Sequence, residues 1–355
     1  MKTSVVYIYP TYSTFIKKDI DFLSKKYIVK TPKHNWGNKK LIFLNFFQQF
    51  VFLSRNILSC QAVFVMFGGY WSFLPTVFGK LFNKPVYIIL GGTDCVSFPS
   101  LNYGSLRKPL MKIFIKWSYQ LCEKLVPVDK SLVYSDYCYY EKSHYKHQGF
   151  KFFFPRISTS YKVIHNGFDP IYFNTDIEEK IPNSFVTVAS ISDMKRFKLK
   201  GIDLVVQLAG IYKNCSFTVI GISENVIAQL DSIPNNVTFF PPLSSNQFKQ
   251  YLFNSEFVLH LSISEGFPNS LCEAMLCRCI PIGSSVGAIP HIIKDTGYLI
   301  SSSNMEFIKD EFYKIVNSTR TSRLELASKA RDRVIENFHI SKREKSFMEL
   351  IDSGN

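Results

Sequence analysis

Several function classes are missing their signatures in this 355-residue sequence. Its eight cysteines form no Cys-x-x-Cys pair, and no histidine cluster accompanies them, so neither a zinc site nor a redox dithiol is visible. The closest three, Cys272, Cys277 and Cys279, flank an apolar helix and read as buried free thiols of a reducing compartment. No Gly-x-Gly-x-x-Gly follows an early strand, which argues against a nicotinamide-dependent Rossmann enzyme. The longest uncharged stretch, 56–79, is broken by Gly68-Gly69 and Pro75. It divides into a strand, a glycine turn and a helix, unlike the roughly 20 unbroken apolar residues of a spanning helix. The opening MKTSVVYIYPTYS is too short for a signal-peptide core and lacks a small-residue cleavage pattern. It reads as a first buried strand.

Acidic residues are scarce in one half only. Residues 1–163 hold 23 Lys and Arg against 7 Asp and Glu, whereas 164–355 hold 19 against 21. All of the formal +14 charge therefore belongs to the N-terminal half, and the two halves meet different partners. A basic pI near 9.3 is the single feature favouring nucleic acid. Zinc-finger spacing and an aromatic RNP strand are both missing, so no nucleic-acid partner is expected. An apolar content of 46% with 20% charged residues is globular, and 33 Phe with 19 Tyr can fill two cores. At about 150 residues per domain the length suggests two.

Short apolar runs alternate with helix-length segments throughout. Strands are predicted at 4–9, 27–30, 62–67, 86–90 and 125–128, and again at 185–189, 217–220, 237–240, 257–261 and 280–282. Helices are predicted around 14–25, 40–56, 71–82 and 106–124, then near 201–213, 223–231, 245–253 and 270–278, with three more after 303. Continuous apolar strands alternating with helices predict parallel sheets covered on both faces. The pattern occurs twice, which gives two doubly wound Rossmann-like domains. The break is placed at 141–183, a polar region with Gly149, Pro155, Pro170, Pro182 and an acidic cluster of Asp176, Glu178 and Glu179. Within it YKVIHNGFDP reads as a short strand ending in an Asn166-Gly167 turn. Ligands of open α/β sheets bind beyond the carboxyl ends of strands, so two facing domains would enclose a cleft there.

The stretch FVLHLSISEGFPNSLCEAMLCRCIPI, 257–282, carries the most chemistry. A buried strand leads to Glu265, then a Gly-Phe-Pro turn, then a helix capped by Asn269 or Ser270 with Glu273 in its first turn. Backbone N–H groups of Gly266, Phe267, Pro268 excepted, then Asn269, Ser270 and Leu271 would line the space between the two glutamates. Orphan donors and the helix dipole suit a phosphate, and carboxylates suit hydroxyl groups. Phosphate plus several hydroxyls describes a sugar nucleotide. A second constellation, SISDMKRFKLKGIDLVVQLA at 190–209, crowds Lys195, Arg196, Lys198 and Lys200 onto a loop before a helix near Gly201. Cations there can neutralise a leaving diphosphate. A solvated charged loop and an ordinary helix-dipole glutamate are the structural alternatives.

These residues resemble the retaining family 4 glycosyltransferases of GT-B fold. SEGFPNSLCEAM is similar to that family's E-x7-E motif, VIHNGFD (163–169) to the phrase opening its C-terminal domain, and VASISDMKRFKLKGIDLVVQLA to its donor-phosphate loop. The resemblance implies α/β architecture of GT-B type, two Rossmann-like domains facing across a cleft. Residues 1–160 would be the acceptor domain, 161–338 the sugar-nucleotide domain, and 339–355 a helix returning to the first domain. By the same resemblance Lys200 would hold the donor diphosphate, with Arg196 as partner in competition with Lys195 and Lys198. Glu265 would meet the sugar hydroxyls, Glu273 the ribose, and residues 266–271 would supply backbone contacts, Phe267 and Pro268 among them. Transfer with retention would need no metal and no cofactor beyond the nucleotide-sugar co-substrate.

The N-terminal half departs from the family pattern. The loop after the first strand reads YPTYSTF rather than glycine-rich, and Gly91-Gly92-Thr93-Asp94 puts glycine where many members have histidine. Asp94 stands as a candidate for contact with acceptor or sugar, with turn chemistry as the alternative. The implied partners are a nucleotide-sugar donor, a lipid-linked or oligosaccharide acceptor, and an anionic membrane surface met by the basic N-terminal domain. For that surface Lys17, Lys18, Lys25, Lys26, Lys39, Lys40, Arg107, Lys108, Lys112 and Lys116 are candidates. The implied location is cytoplasmic, peripheral on the inner membrane face, and the implied role is cell-surface polysaccharide synthesis. An inactive glycosyltransferase-like module and a GT-B sugar-nucleotide epimerase are the alternatives.

Overall fold

A computed structural model describes residues 3–174 and 179–354. Asp176 and Glu178 of the predicted acidic break lie outside the described residues, as does the side chain of Lys39. The chain forms two units. Unit 1 comprises Met1–Asp136, His147–Asn166 and Ile340–Asn355, and unit 2 comprises Tyr137–Lys146 and Gly167–His339.

Unit 1 runs β1 (Ser4–Ile8), α1 (Thr14–Lys26), β2 (Ile28–Lys30), α2 (Ile42–Asn56), β3 (Cys60–Met66), α3 (Tyr70–Leu81), β4 (Val86–Leu90), α4 (Pro109–Leu121) and β5 (Lys124–Pro127). A two-residue antiparallel pair, β6 (Ser135–Asp136) with β7 (His147–Gln148), and the short α5 (Phe150–Phe153) follow. The five long strands are parallel in the order β2-β1-β3-β4-β5. Val5 to Ile8, Val63 to Val65 and Ile88 to Leu90 are fully buried. Helices on both faces leave no strand surface for polar residues, which is why these runs are apolar without alternation. The predicted strand in YKVIHNGFDP is reduced to isolated bridges, Leu125 to Tyr161 and Phe168 to His339. Residues 160–164 still follow β5, through Leu125 N–H to Ser160 O and the N–H groups of Lys162 and Ile164 to Leu125 O and Pro127 O.

Unit 2 runs β8 (Ile181–Ile191), α6 (Met194–Leu199), α7 (Ile202–Ile211), β9 (Ser216–Ile222), α8 (Glu224–Ile227), β10 (Val237–Phe240), α9 (Ser245–Asn254), β11 (Ser255–His260), α10 (Asn269–Leu276), β12 (Ile280–Ser284), α11 (Ile289–Ile293), β13 (Tyr298–Ile300), α12 (Met305–Val316) and α13 (Arg320–Phe338). Its six strands are parallel in the order β10-β9-β8-β11-β12-β13. Phe185 stacks on Phe217 and Phe257 at 5.1 and 4.8 Å, and Phe312 of α12 closes the cluster. The loop predicted before Gly201 is instead the helix α6. Asp193 caps it by accepting from Arg196 N–H, and Phe197 and Leu199 bury its inner side.

The last helix, α14 (Ile340–Ser353), belongs to unit 1. Its Arg343 grips both oxygens of buried Asp19 at 2.7 Å and also donates to Ile164 O and His165 O. Tyr7 O–H donates to the same carboxylate, and Phe347 stacks on Phe64 at 4.9 Å. Lys25 and Lys26, candidates for a membrane surface, face Glu344 at 3.0 Å and Asp352 at 3.6 Å on this helix. All eight cysteines are free; Cys138 is exposed, the other seven buried.

Candidate functional site

In each sheet the second strand lies on one side of the first and a later strand on the other. The connections leaving the first strand and that later strand run in opposite directions across the sheet and leave a crevice beyond the carboxyl ends of the two, the place where open α/β sheets bind ligands. In unit 2 the crevice lies between β8 and β11. Lys200 comes from the connection after β8 and Glu265 from the connection after β11. Their side chains meet there, Lys200 Nζ to Glu265 Oε1 at 2.6 Å. His260, the last residue of β11, approaches the same oxygen through Nε2 at 2.9 Å. An ionised carboxylate only accepts, so Nε2 carries the proton, and Nδ1 has no hydrogen-bond partner among the described residues. Side-chain exposure is 23% for Lys200, 10% for Glu265 and 4% for His260, so the cluster has one open side. Burial pushes the Glu265 carboxyl up, but the Lys200 charge and the His260 bond together hold it well below the usual carboxylate range. Both contacts fall on Oε1.

The backbone around this cluster is fixed from several directions. Ile263 N–H donates to Leu199 O at 2.8 Å, tying the two connections together. Tyr137 and Tyr139 O–H donate to Ile263 O and Leu261 O, and Ser284 O–H donates to Ser262 O. Two glycines allow the closest approaches. Gly201 has φ +67 and no room for a Cβ, which would stand 2.1 Å from Leu261 O; at Gly287, φ +54, it would stand 1.8 Å from Glu265 O. His260, Gly287 and the tyrosine pair were missed in the sequence. The one available signal was a histidine five residues before Glu265, at the end of an otherwise apolar strand.

Helix α10 starts beside Glu265 but differs in detail from the sequence expectation. Its N-cap is Pro268, and no side chain caps it. Ser270 Oγ donates to Val188 O of β8 instead, which fastens the helix start to the sheet. Glu273 is the fifth residue of the helix, hence in its second turn rather than its first, and it is half-buried. Gly266, Phe267, Pro268 and Leu271 are buried, whereas Asn269 and Ser270 are partly open. Phe267 packs between Phe168 at 6.3 Å and Phe338 at 5.4 Å, so its side chain is a support for the turn. Arg196 is not brought to Glu265. It points outward from α6 and lies 3.9 Å from Asp193. Lys195 and Lys198 are exposed on the same helix, which leaves Lys200 alone of the four in the cluster.

In unit 1 the equivalent crevice lies between β1 and β3. Asp94 sits beside it, fully buried. Its Oδ2 accepts from Gly68 N–H and Tyr119 O–H, and its Oδ1 from the N–H groups of Gly91 and Gly92. Burial pushes its carboxyl up, against those bonds. The turn-chemistry alternative thus describes its place: Asp94 joins the turns after β3 and β4 and offers no open oxygen. Phe67, with φ +66, lays its ring where a side chain at residue 91 would go; a Cβ on Gly91 would stand 1.6 Å from it.

Residues 177–337, most of unit 2, match the family described as glycosyl transferases group 1. Over the whole chain the likeness to solved structures is strong in shape and weak in sequence. Anabaena HepE in complex with UDP and glucose superposes with a TM-score of 0.73 at 12% identity, covering 99% of this chain and 100% of that one. The fold is GT-B. Sucrose-phosphate synthase from Thermosynechococcus elongatus gives 0.72 at 12% identity, covering 99% of each chain. Sequence relatives match only a segment. Trehalose synthase of Pyrococcus horikoshii is 34% identical over 101 residues, 28% of this chain and 24% of its own length. N-acetyl-alpha-D-glucosaminyl L-malate synthase of Bacillus anthracis is 34% identical over 95 residues, 26% of this chain and 25% of its own. The chain thus matches about a quarter of the length of these curated relatives. The whole-chain likeness shows the GT-B fold, and the group 1 match covers most of unit 2.

Proposed function

We propose that this GT-B protein is a retaining glycosyltransferase that moves a sugar from a nucleotide-sugar donor to a glycan or lipid-linked acceptor in cell-surface polysaccharide synthesis. The observation that carries it is the meeting of Lys200, His260 and Glu265 at the unit 2 crevice, beside the start of α10. On this reading the sugar hydroxyls bond to Glu265 Oε2, which carries neither the lysine nor the histidine. The donor phosphates face Lys200 and the N–H groups at the α10 start, where the helix dipole favours negative charge. Lys200 then stabilises the diphosphate as it leaves, and the ribose meets Glu273 one helical turn further on. The reading is metal-independent, with the Lys200 ammonium in place of a metal ion facing the leaving diphosphate. Asp94 is here a positioning residue for the turns of unit 1. The protein works in the cytoplasm at the inner membrane face. Among the described residues no helix is long and apolar enough to cross a membrane.

The test is thermal unfolding with UDP, GDP, ADP and CMP and their sugar conjugates, repeated with Glu273→Gln. UDP comes first because the HepE structures contain it. Specific binding stabilises by about 2.7 kcal/mol at a hundredfold excess over Kd. A shift with one nucleotide that Glu273→Gln removes supports the site. A shift that survives the substitution places the nucleotide elsewhere. With the donor known, the anomeric configuration of the product by NMR decides the stereochemistry, and inversion overturns the retaining assignment.

A further inference from the structure

Helix α2 buries two side-chain amides beside Leu53 and exposes three phenylalanines. Its buried side holds Asn45 and Gln49, one turn apart, whose amide groups donate to Asn35 O at 2.8 Å and Trp71 O at 2.9 Å. Its outer side carries Phe43, Phe47 and Phe50, which share one stripe at helical spacing. Phe43 is 89% exposed and Phe47 66%. A helix of a freely soluble surface has the opposite arrangement.

The apolar outer surface continues onto the neighbouring helices of unit 1. Phe46 of α2 meets Phe114 of α4 at 5.9 Å, and Phe50 meets Phe78 of α3 at 5.4 Å. Beside those contacts α4 exposes Leu110, Ile113 and Trp117, and the end of α3 exposes Leu81. Ile113 also lines, with Phe153 and Ile157, a groove of about 540 Å³ that includes Lys112, Lys116 and Arg156. Lys112 Nζ lies 5.5 Å from the Phe153 ring.

Charge selects the occupant. Between residues 31 and 122, the span that supplies α2, α3 and α4, the sequence has ten Lys and Arg and one acidic residue, Asp94, which is buried. An apolar outer face set among cations of a single sign is complementary to an anionic lipid surface, with aromatic rings at the headgroup level. The same sign repels a second copy of this chain. A nucleic acid would leave the phenylalanine stripe in water.

We infer that unit 1 docks on an anionic bilayer through the α2 phenylalanine stripe and the Trp117 side of α4, with lipid phosphates at Lys112 and Lys116. This deepens the membrane-side part of the proposed function, and it is tested without nucleotide or acceptor, so either reading can fail while the other stands. The full chain is sedimented with vesicles of phosphatidylcholine alone and of an equal mixture with phosphatidylglycerol. The expected result is binding to the mixed vesicles that weakens with salt. Phe43→Ser with Phe47→Ser lowers the partition coefficient at least about tenfold by removing two inserted rings. Lys112→Gln with Lys116→Gln lowers it about thirtyfold on mixed vesicles and leaves phosphatidylcholine unchanged. Both variants alter partly or fully exposed side chains, and an unchanged thermal midpoint checks that they fold. Failure to bind the mixed vesicles, or binding indifferent to the phenylalanine pair, overturns the inference. So does a dimer in solution that Phe43→Ser dissociates, because the stripe would then belong to a second copy.

Discussion

Replacing Lys200 by methionine keeps the length of the side chain and removes its charge from the Glu265 carboxylate. Two unit charges 2.6 Å apart attract by about 6 kcal/mol at an effective dielectric constant of about 20. Part of this returns, because Lys200 no longer has to be desolvated and the His260 bond to Oε1 stays in place. Losing one partner of a buried pair costs about 3–5 kcal/mol. With Lys200 still 23% exposed, the lower end applies, about 3 kcal/mol. For a unit of this size that is a fall in Tm of about 6–12 °C.

The pH dependence carries the sharper test. In the wild type Glu265 is held below its unfolded value of about 4.3, so its stabilisation is present above that pH and is lost only as pH falls below it. In Lys200→Met the ammonium is gone while burial and the His260 bond remain, so the carboxyl stands higher than in the wild type. The folded variant then takes up its proton at a higher pH than the folded wild type does, and it loses less stability as pH falls through the carboxylate range. The gap between the two proteins therefore narrows as the solution is acidified. Denaturant unfolding at a series of pH values measures it, with Glu265→Gln and the double variant completing a cycle. A gap below about 0.5 kcal/mol at pH 7, a gap that stays constant with pH, or strict additivity in the cycle would refute the reasoning.

Other substitutions test other parts of the structure. Gly287→Ala has to accept a left-handed backbone and a Cβ against Glu265 O, so it loses about 3 kcal/mol or more in unfolding experiments, along with any nucleotide-induced shift. Gly91→Ala meets the Phe67 ring and costs about 1–3 kcal/mol; combining it with Phe67→Ala makes room, and a double variant no better than the sum of the singles would contradict the packing described. Arg343→Met strands the Asp19 carboxylate inside unit 1, with an expected loss of about 3–5 kcal/mol by calorimetry. Asp19→Leu combined with Arg343→Met recovers much of that loss, since no buried charge then remains.

Local pattern and tertiary placement divide the information about this protein between them. The alternation of apolar strands with helices was legible because a parallel strand buried on both faces must be apolar along its whole length. Predicted strands such as 86–90 and 237–240 coincide with the observed ones, and the rest differ mainly at their ends. β13 was overlooked because only three residues, Tyr298–Ile300, complete the sheet edge there. The loop that is really α6 was misread because four cations hide a capped turn whose two buried residues anchor it. Lys200 and Glu265 stood out as residue types in suggestive surroundings. Their ion pair joins residues 65 apart, and only the β8-β11 pairing brings them together.

His260 looked like one more strand residue, since nothing local distinguishes a histidine aimed at a carboxylate from one satisfied in a core. Asp94 is the opposite case, left open between contact and turn chemistry because a turn aspartate looks accessible until its four donors are placed around it. Helix α2 gives the clearest division. Composition alone says that it is rich in phenylalanine. Which side turns inward depends on the carbonyls of Asn35 and Trp71, which accept from Asn45 and Gln49 beside buried Leu53 and leave the Phe43 and Phe47 rings outside. The sequence by itself determined the layers, the strands and the division of charge, because periodicity and composition act locally. Tertiary structure decided the partners of each polar group, because a hydrogen bond or ion pair depends on where distant segments meet.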